Sequence, residues 1–228
     1  MSVRSPSPSR YRAVLFDLDG TLVETRQDIA TGVNGMLAER GVDPLAVEQV
    51  GQHVGRGARV LVTRCLAERG VTLRTDEEIS AAYESFHRAY SAHLLDTTRP
   101  YPDVEVMCAR LERAGTAMAI VSNKPEDLSR RVLEGVGLAH FFPVVLGGDS
   151  LPVRKPDPAP LFRALSLLGI EGAALMVGDS EIDIQAARAA GMPVAAVAWG
   201  FGSQEDLRAA GADRLFDGAL ELTDWILS

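Results

Sequence analysis

The run Ala13-Val14-Leu15-Phe16 is short and wholly apolar, and the chain leaves it directly for Asp17-Leu18-Asp19-Gly20-Thr21. Four apolar residues without alternation fit a strand buried on both faces, the habit of parallel sheets in α/β proteins. Gly20 permits a sharp turn right after the second acid. Two carboxylates are thereby placed together at the carboxyl end of a strand, where open α/β sheets bind their ligands. Side by side they repel unless they share a cation or a proton, so the segment points to a metal, to acid/base chemistry, or to both.

From Tyr101 onward strand and helix patterns alternate. Strands are predicted over 117–121, 144–146, 173–177 and 194–197, with helical spacing over 104–114, 127–136, 159–168 and 182–190. Asp157 and Pro158 read as the N-cap and first position of the third of these helices. Between about 24 and 98 the pattern is helical only. Ile29, Val33, Met36 and Leu37 mark one helix, with Gly41 as its stop. Val60, Leu61, Cys65 and Leu66 mark a second, and Ile79, Tyr83, Phe86 and Tyr90 a third, which Asp76 is expected to cap. The expected architecture is α/β: a Rossmann-like parallel sheet with helices on both faces over 11–23 and 99–228, an inserted all-helical cap domain over 24–98, and a loose Ser/Pro-rich tail over 1–10.

Composition narrows the partners. The chain has 228 residues and a net charge of −8, which argues against nucleic acid. Neither cysteine lies in a CxxC pair, so no disulfide framework or cysteine zinc site is expected and a reducing compartment fits best. No apolar run approaches the roughly 18 residues of a membrane span, and no signal-peptide core is visible. The expectation is a cytoplasmic protein, a monomer or homodimer, without membrane or nucleic-acid partners. Of the 23 basic residues only Lys124 and Lys155 are lysines, and both fall in loops just past predicted strands. In so arginine-rich a chain, a retained lysine suggests a need for a compact point charge. His53, His87, His93 and His140 show no metal-binding spacing and read as surface or packing residues.

Four polar motifs follow predicted strands: Asp17 to Thr21, then Ser122-Asn123, then Lys155-Pro156-Asp157, then Gly178-Asp179-Ser180-Glu181-Ile182-Asp183. A parallel sheet gathers its strand ends on one edge, so these groups can converge. Acids with oxygen ligands suit Mg²⁺. A hydroxyl, backbone N–H groups and an ammonium suit phosphate oxygens. A site with both suits phosphoryl transfer.

With these residues in place, the chain resembles the haloacid-dehalogenase-superfamily phosphatases that carry a helical cap after the first motif. The likeness runs from Arg12 to Leu227. In detail it is similar to bacterial phosphoglycolate phosphatases, through residues 16–23, Val54-Gly55-Arg56-Gly57-Ala58, the stretch from Gly147 to Pro158, and that from Gly178 to Pro193. The resemblance implies that Asp17 is a nucleophile forming an aspartyl-phosphate, while Asp19 protonates the leaving alcohol and then deprotonates water. It implies that Ser122 and Asn123 hold the transferring group, with Thr21 beside them, and that Lys155 neutralises shared charge. It further implies Mg²⁺ held by Asp17, the Asp19 carbonyl and Asp179, with Asp183 close by or bound through water. Phosphate monoesters hydrolyse so slowly unaided that enzymes accelerate them by up to about 10²¹-fold, so several devices are expected to act together.

Substrate choice must come from the insert, because fold alone does not give it. Arg56 and Arg59 flank a glycine loop and are expected to clamp a carboxylate, which suits 2-phosphoglycolate. Other small phosphates, among them sugar phosphates, N-acetylmuramic acid 6-phosphate and pyrophosphate, are the alternatives, and a catalytically silent binding protein is the alternative of another class. Against the resembling family, Glu24-Thr25 replaces a common Asp-Ser and Asp103 a common glycine, both near the expected hinges. The acid at Asp19 argues against a dehalogenase, and the lack of any lysine in the insert against a phosphonatase. Glu181 is expected to be solvated.

Overall fold

In the computed structural model, which describes residues 9–228, β1 (Ala13–Phe16) is covered on both sides. Val14 and Phe16 enter the core on one sheet face, and Ala13 and Leu15 enter the core on the other. This is the alternation that a pleated strand imposes when helices lie on both faces. The expected tail over 1–10 lies outside the described residues except for its end, where Arg10 N donates to Ile226 O at 3.1 Å.

Past Gly20 the chain passes through β2 (Val23–Glu24) into four helices: α1 (Arg26–Ala38), α2 (Val47–Gly51), α3 (Ala58–Glu68) and α4 (Asp76–Ala92). It returns through β3 (Arg99–Pro100), which pairs antiparallel with β2. This two-stranded ribbon closes the base of the insert, and of its four residues only Glu24 falls within 24–98, where the other elements are helices. Strands of two residues carry no periodicity by which to find them. Thr75, not Asp76, caps α4: its Oγ1 accepts from Glu78 N at 3.2 Å while Glu78 Oε2 accepts from Thr75 N, a reciprocal capping box. On α3 the buried partner of Leu61 is Val62 rather than Val60.

The core resumes with α5 (Val104–Arg113), β4 (Ala117–Val121), α6 (Glu126–Gly135), β5 (Val144–Leu146), α7 (Ala159–Leu168), β6 (Ala174–Gly178), α8 (Glu181–Ala189) and β7 (Val194–Val197). It ends with α9 (Gln204–Ala209), β8 (Arg214–Phe216) and α10 (Ala219–Ile226), which had no counterpart in the sequence reading. Pro158 takes the capping position of α7, and Asp157 Oδ1 accepts from Ala159 N at 2.8 Å, one residue later than expected. The sheet has the order β5-β4-β1-β6-β7-β8, and every pair in it is parallel. The chain builds to one side of β1 and then to the other, so a crevice opens at the carboxyl ends of β4, β1 and β6. Phe16 stands opposite both Ile120 and Val177, which brings the loops after all three strands level with one another.

Two contacts hold the insert together. In the hinge, buried Asp28 accepts hydrogen bonds from the backbone N–H and hydroxyl of both Thr97 and Thr98. Burial alone would raise its pKa, but these four donors outweigh that and hold the carboxyl below its ordinary range. In the helical layer, a Cβ on Gly32 of α1 would lie 2.6 Å from Tyr90 Cβ, so only glycine lets α4 pack this close. Among the described residues no helix is long and apolar enough to cross a membrane.

Candidate active site

Asp17 N still donates to Val177 O at 2.9 Å, so Asp17 continues the ladder of β1 by one residue before the turn. Gly20 then takes φ +82°, and a Cβ there would lie 2.2 Å from Asp179 Oδ2. Glycine is needed twice, for the left-handed backbone and for the space. Thr21 is buried and its hydroxyl donates to Asp179 Oδ1 at 3.0 Å. The side chain of Thr21, expected to contact substrate, holds an acid and is not among those lining the cavity.

Asp179 follows β6 and is gripped from a second side by the loop after β7. Phe201 N donates to its Oδ2 at 2.7 Å, and a Cβ on Gly200 would lie 2.3 Å from Asp179 Cβ. Sequence reading passed over this loop; the glycines on either side of Phe201 were its only signal. Asp183, two residues into α8, forms a capping box with Ser180, whose N and Oγ donate to Asp183 Oδ2 at 3.1 and 2.5 Å. Lys155 Nζ donates to Asp183 Oδ1 at 2.6 Å and lies 3.1 Å from Asp17 Oδ1. The second is an ion pair by distance, and among the described residues buried Asp17 Oδ1 has no well-aligned hydrogen-bond donor.

Asp17, Asp179 and Asp183 each turn one oxygen into a single buried cluster, these atoms lying within 4.8 Å of one another. Burial, then the charges of Asp17 and Asp183, raise the Asp179 carboxyl well above its ordinary range. Asp183 is raised too, by burial first, with Lys155 opposing. Counting Asp19, four buried carboxylates face two buried ammonium groups, Lys124 and Lys155. The imbalance equals the charge of one divalent cation, and the donors are hard oxygens. Asp17, Asp179 and Asp183 bring such oxygens within 4.8 Å of one another, so the residues present fit such an ion.

The loop after β4 supplies the other wall. Ser122 is buried, with its N donating to Leu146 O at 2.9 Å and its Oγ accepting from Lys124 N at 3.3 Å. Asn123 Nδ2 donates to Gly55 O of the insert and to Lys155 O, both at 2.8 Å, so this side chain ties insert to core. Lys124 Nζ reaches Asp19 Oδ1 and Oδ2 at 3.0 and 3.2 Å and Tyr90 Oη at 2.5 Å. Burial would lower the Lys124 pKa, but the Asp19 charge and the Tyr90 hydroxyl together outweigh it and the ammonium is held charged. Thr25 Oγ1 donates to Asp19 Oδ1 at 2.8 Å.

A cavity of about 560 Å³ joins these groups to the insert, lined by Asp17, Asp19, Ser122 and Asp179 from the core and by Gly55, Arg56 and Gly57 opposite. Arg56 forms an ion pair with Glu181 at the start of α8. Glu181 is thus paired while its side chain stays half-exposed. Arg59 does not reach the cavity. As the second residue of α3 it faces α4, where Nη1 donates to Ser80 Oγ at 3.0 Å and Nη2 lies 3.8 Å from Asp76. Of the two arginines expected to clamp a carboxylate, Arg56 lines the cavity and Arg59 does not. Asp103 at the start of α5 has φ +63°, the only positive value outside glycine among the described residues, matching the glycine it replaces in the resembling family.

A family model for haloacid dehalogenase-like hydrolases matches residues 14–197. The chain is 42% identical over 201 residues to a phosphoglycolate phosphatase of Neisseria gonorrhoeae, covering 86% of this chain and 85% of that protein. It is 40% identical over 219 residues to a phosphoglycolate phosphatase of Rhodospirillum rubrum, covering 94% and 90%. A crystal structure from Haemophilus somnus, described as a predicted phosphoglycolate phosphatase, superposes with a TM-score of 0.86 at 30% identity, over 94% of this chain and 97% of that one. With the site built at the carboxyl edge of a parallel sheet beneath a helical insert, this chain belongs to the haloacid dehalogenase-like hydrolases.

Proposed function

We propose that the protein hydrolyses phosphate monoesters through an aspartyl-phosphate on Asp17, with Mg²⁺ as cofactor and 2-phosphoglycolate as substrate. The observation that carries the reading is Asp17 Oδ1: a buried carboxylate oxygen without a well-aligned hydrogen-bond donor, beside an ammonium, at the floor of a cavity. An oxygen so placed is free to attack.

Asp17 forms a bond to phosphorus as the bond to the alcohol oxygen breaks, and the Asp19 carboxyl gives its proton to that oxygen. Water then attacks phosphorus, Asp19 takes a proton back, and phosphate leaves Asp17 as a carboxylate. Lys155 spreads the charge shared between phosphoryl group and nucleophile, and the Ser122 hydroxyl and the backbone at Asn123 orient the group. Asp17, Asp179 and the Asp19 carbonyl would hold Mg²⁺, with Asp183 adjacent; the ion, when bound, neutralises phosphoryl charge. The relatives' names and the single cavity arginine, Arg56, support phosphoglycolate. A second reading, another small phosphate ester, is favoured by one observation: Arg56 is already paired with Glu181.

Steady-state kinetics with Mg²⁺ on a panel of phosphate esters tests both. The first reading expects the highest kcat/KM for 2-phosphoglycolate. Equal values for sugar phosphates would overturn that substrate while leaving the phosphatase. Absence of turnover on every ester would leave a silent binding protein.

A further inference from the structure

The two lysines divide the paired acids between them. Lys155 lies against Asp17, and Lys124 lies against Asp19. Every donor of the Lys124 ammonium is committed, to the two oxygens of Asp19 and to Tyr90 Oη. Its side chain is 4% exposed, and Nζ sits 4.5 Å from the centre of the Tyr90 ring. A saturated ammonium is not a free ligand for phosphate. Nor is a buried ion pair a strong source of stability, since desolvation largely offsets its attraction. What this geometry does provide is a fixed direction for the Asp19 carboxyl.

Tyr90 is itself immobile. It is buried on α4, stacked on Phe86 with ring centres 5.4 Å apart, and pressed against Gly32 of α1. The ammonium therefore stands on a support built from the insert. A guanidinium is flat and longer, and could not meet three acceptors gathered round one point, which accounts for a lysine here in a chain that otherwise uses arginine.

We infer that Lys124, braced by Tyr90, is the positioning residue that aims the Asp19 carboxyl at the leaving-group oxygen. The inference rests on the phosphatase reading. Loss of aim at one catalytic group, a displacement on the order of 1 Å, costs about 10²-fold in rate. The loss falls only on substrates that need the proton: an alkyl phosphate leaves as an alkoxide that must be protonated as its bond to phosphorus breaks, whereas p-nitrophenolate leaves as a stable anion.

The test compares kcat/KM, which reports transfer to Asp17 and not the later hydrolysis, for 2-phosphoglycolate or glycerol phosphate and for p-nitrophenyl phosphate. Lys124→Met is expected to lose about 10²-fold on the alkyl esters and under about tenfold on the aryl ester. Tyr90→Phe keeps the ring, removes only the hydroxyl, and is expected to show the same selective loss at about a tenth of the size; it decides the matter if Lys124→Met fails to fold. Asp19→Asn sets the full selective pattern. Equal losses on both ester types, or no loss, overturn the inference alone. A wild-type protein that turns over neither ester overturns the phosphatase reading and this inference with it.

Discussion

The carboxyl edge of the sheet and the loop of the insert that faces it hold their charges differently. At the edge, Lys155 is 3% exposed and Asp183 is fully buried, and each group is fixed by two or more partners. In the insert, the Arg56 side chain is 42% exposed and its partner Glu181 45%. A buried pair cannot exchange partners without leaving a charge uncompensated, whereas a half-exposed pair is worth little and can trade one carboxylate for another. The edge thus holds its charges in fixed pairs, and the facing loop leaves its pair free to exchange partners.

Substitutions on the two sides should separate accordingly. Asp17→Asn should lower turnover by at least about 10⁴-fold while the melting temperature stays level or rises, because it relieves repulsion with Asp179 and Asp183 and leaves Lys155 paired to Asp183. An unfolded Asp17→Asn protein would break the distinction. Gly20→Ala puts a methyl against Asp179 and a side chain at φ +82°. Titration of activity with Mg²⁺ should show half-saturation shifted upward by about 10–100-fold.

The hinge sits between the two regimes. Asp28→Ala should cost about 1.5–3 kcal/mol in denaturant unfolding. The folded Asp28 carboxyl titrates below the unfolded one, so its contribution is fully present above the unfolded value of about 3.9 and is lost as pH falls through the folded value. The gap between wild type and variant should be constant above about pH 5 and close in more acidic solution. A gap that widens with acid would contradict the assignment. The smallest effects are expected in the insert. Arg56→Ala should raise KM for 2-phosphoglycolate about tenfold with kcat nearly kept, and Arg59→Ala, whose guanidinium is engaged by Ser80 and Asp76 outside the cavity, should change either by less than about twofold.

Much of this was legible along the chain because parallel strands put consecutive motifs on one edge. The runs ending at Phe16, Val121 and Val177 announced where Asp17, Ser122 and Asp179 would stand. What escaped depends on partners distant in sequence. The hydroxyl of Thr21 has the local setting of a phosphate contact, yet its acceptor is Asp179, 158 positions away. Lys124 was marked by the arginine bias, but its brace is Tyr90, which in sequence is one more apolar position on α4. Arg56 and Arg59 look equivalent in a glycine-rich loop. The helix begins between them, at Ala58, and turns Arg59 toward α4. The ribbon of β2 and β3 is too short for any pattern to reveal.

The central claim is that the two adjacent acids have different tasks, with Asp17 carrying the phosphoryl group and Asp19 moving protons. Rapid acid quench of Asp19→Asn protein mixed with p-nitrophenyl phosphate and Mg²⁺, followed by peptide mass spectrometry, addresses it directly. Release of p-nitrophenol needs no proton, while hydrolysis of the intermediate lacks its base, so a phosphoryl group should accumulate on the peptide holding Asp17. Release of p-nitrophenol with no phosphoryl group on that peptide, or with one on a different residue, would contradict the account.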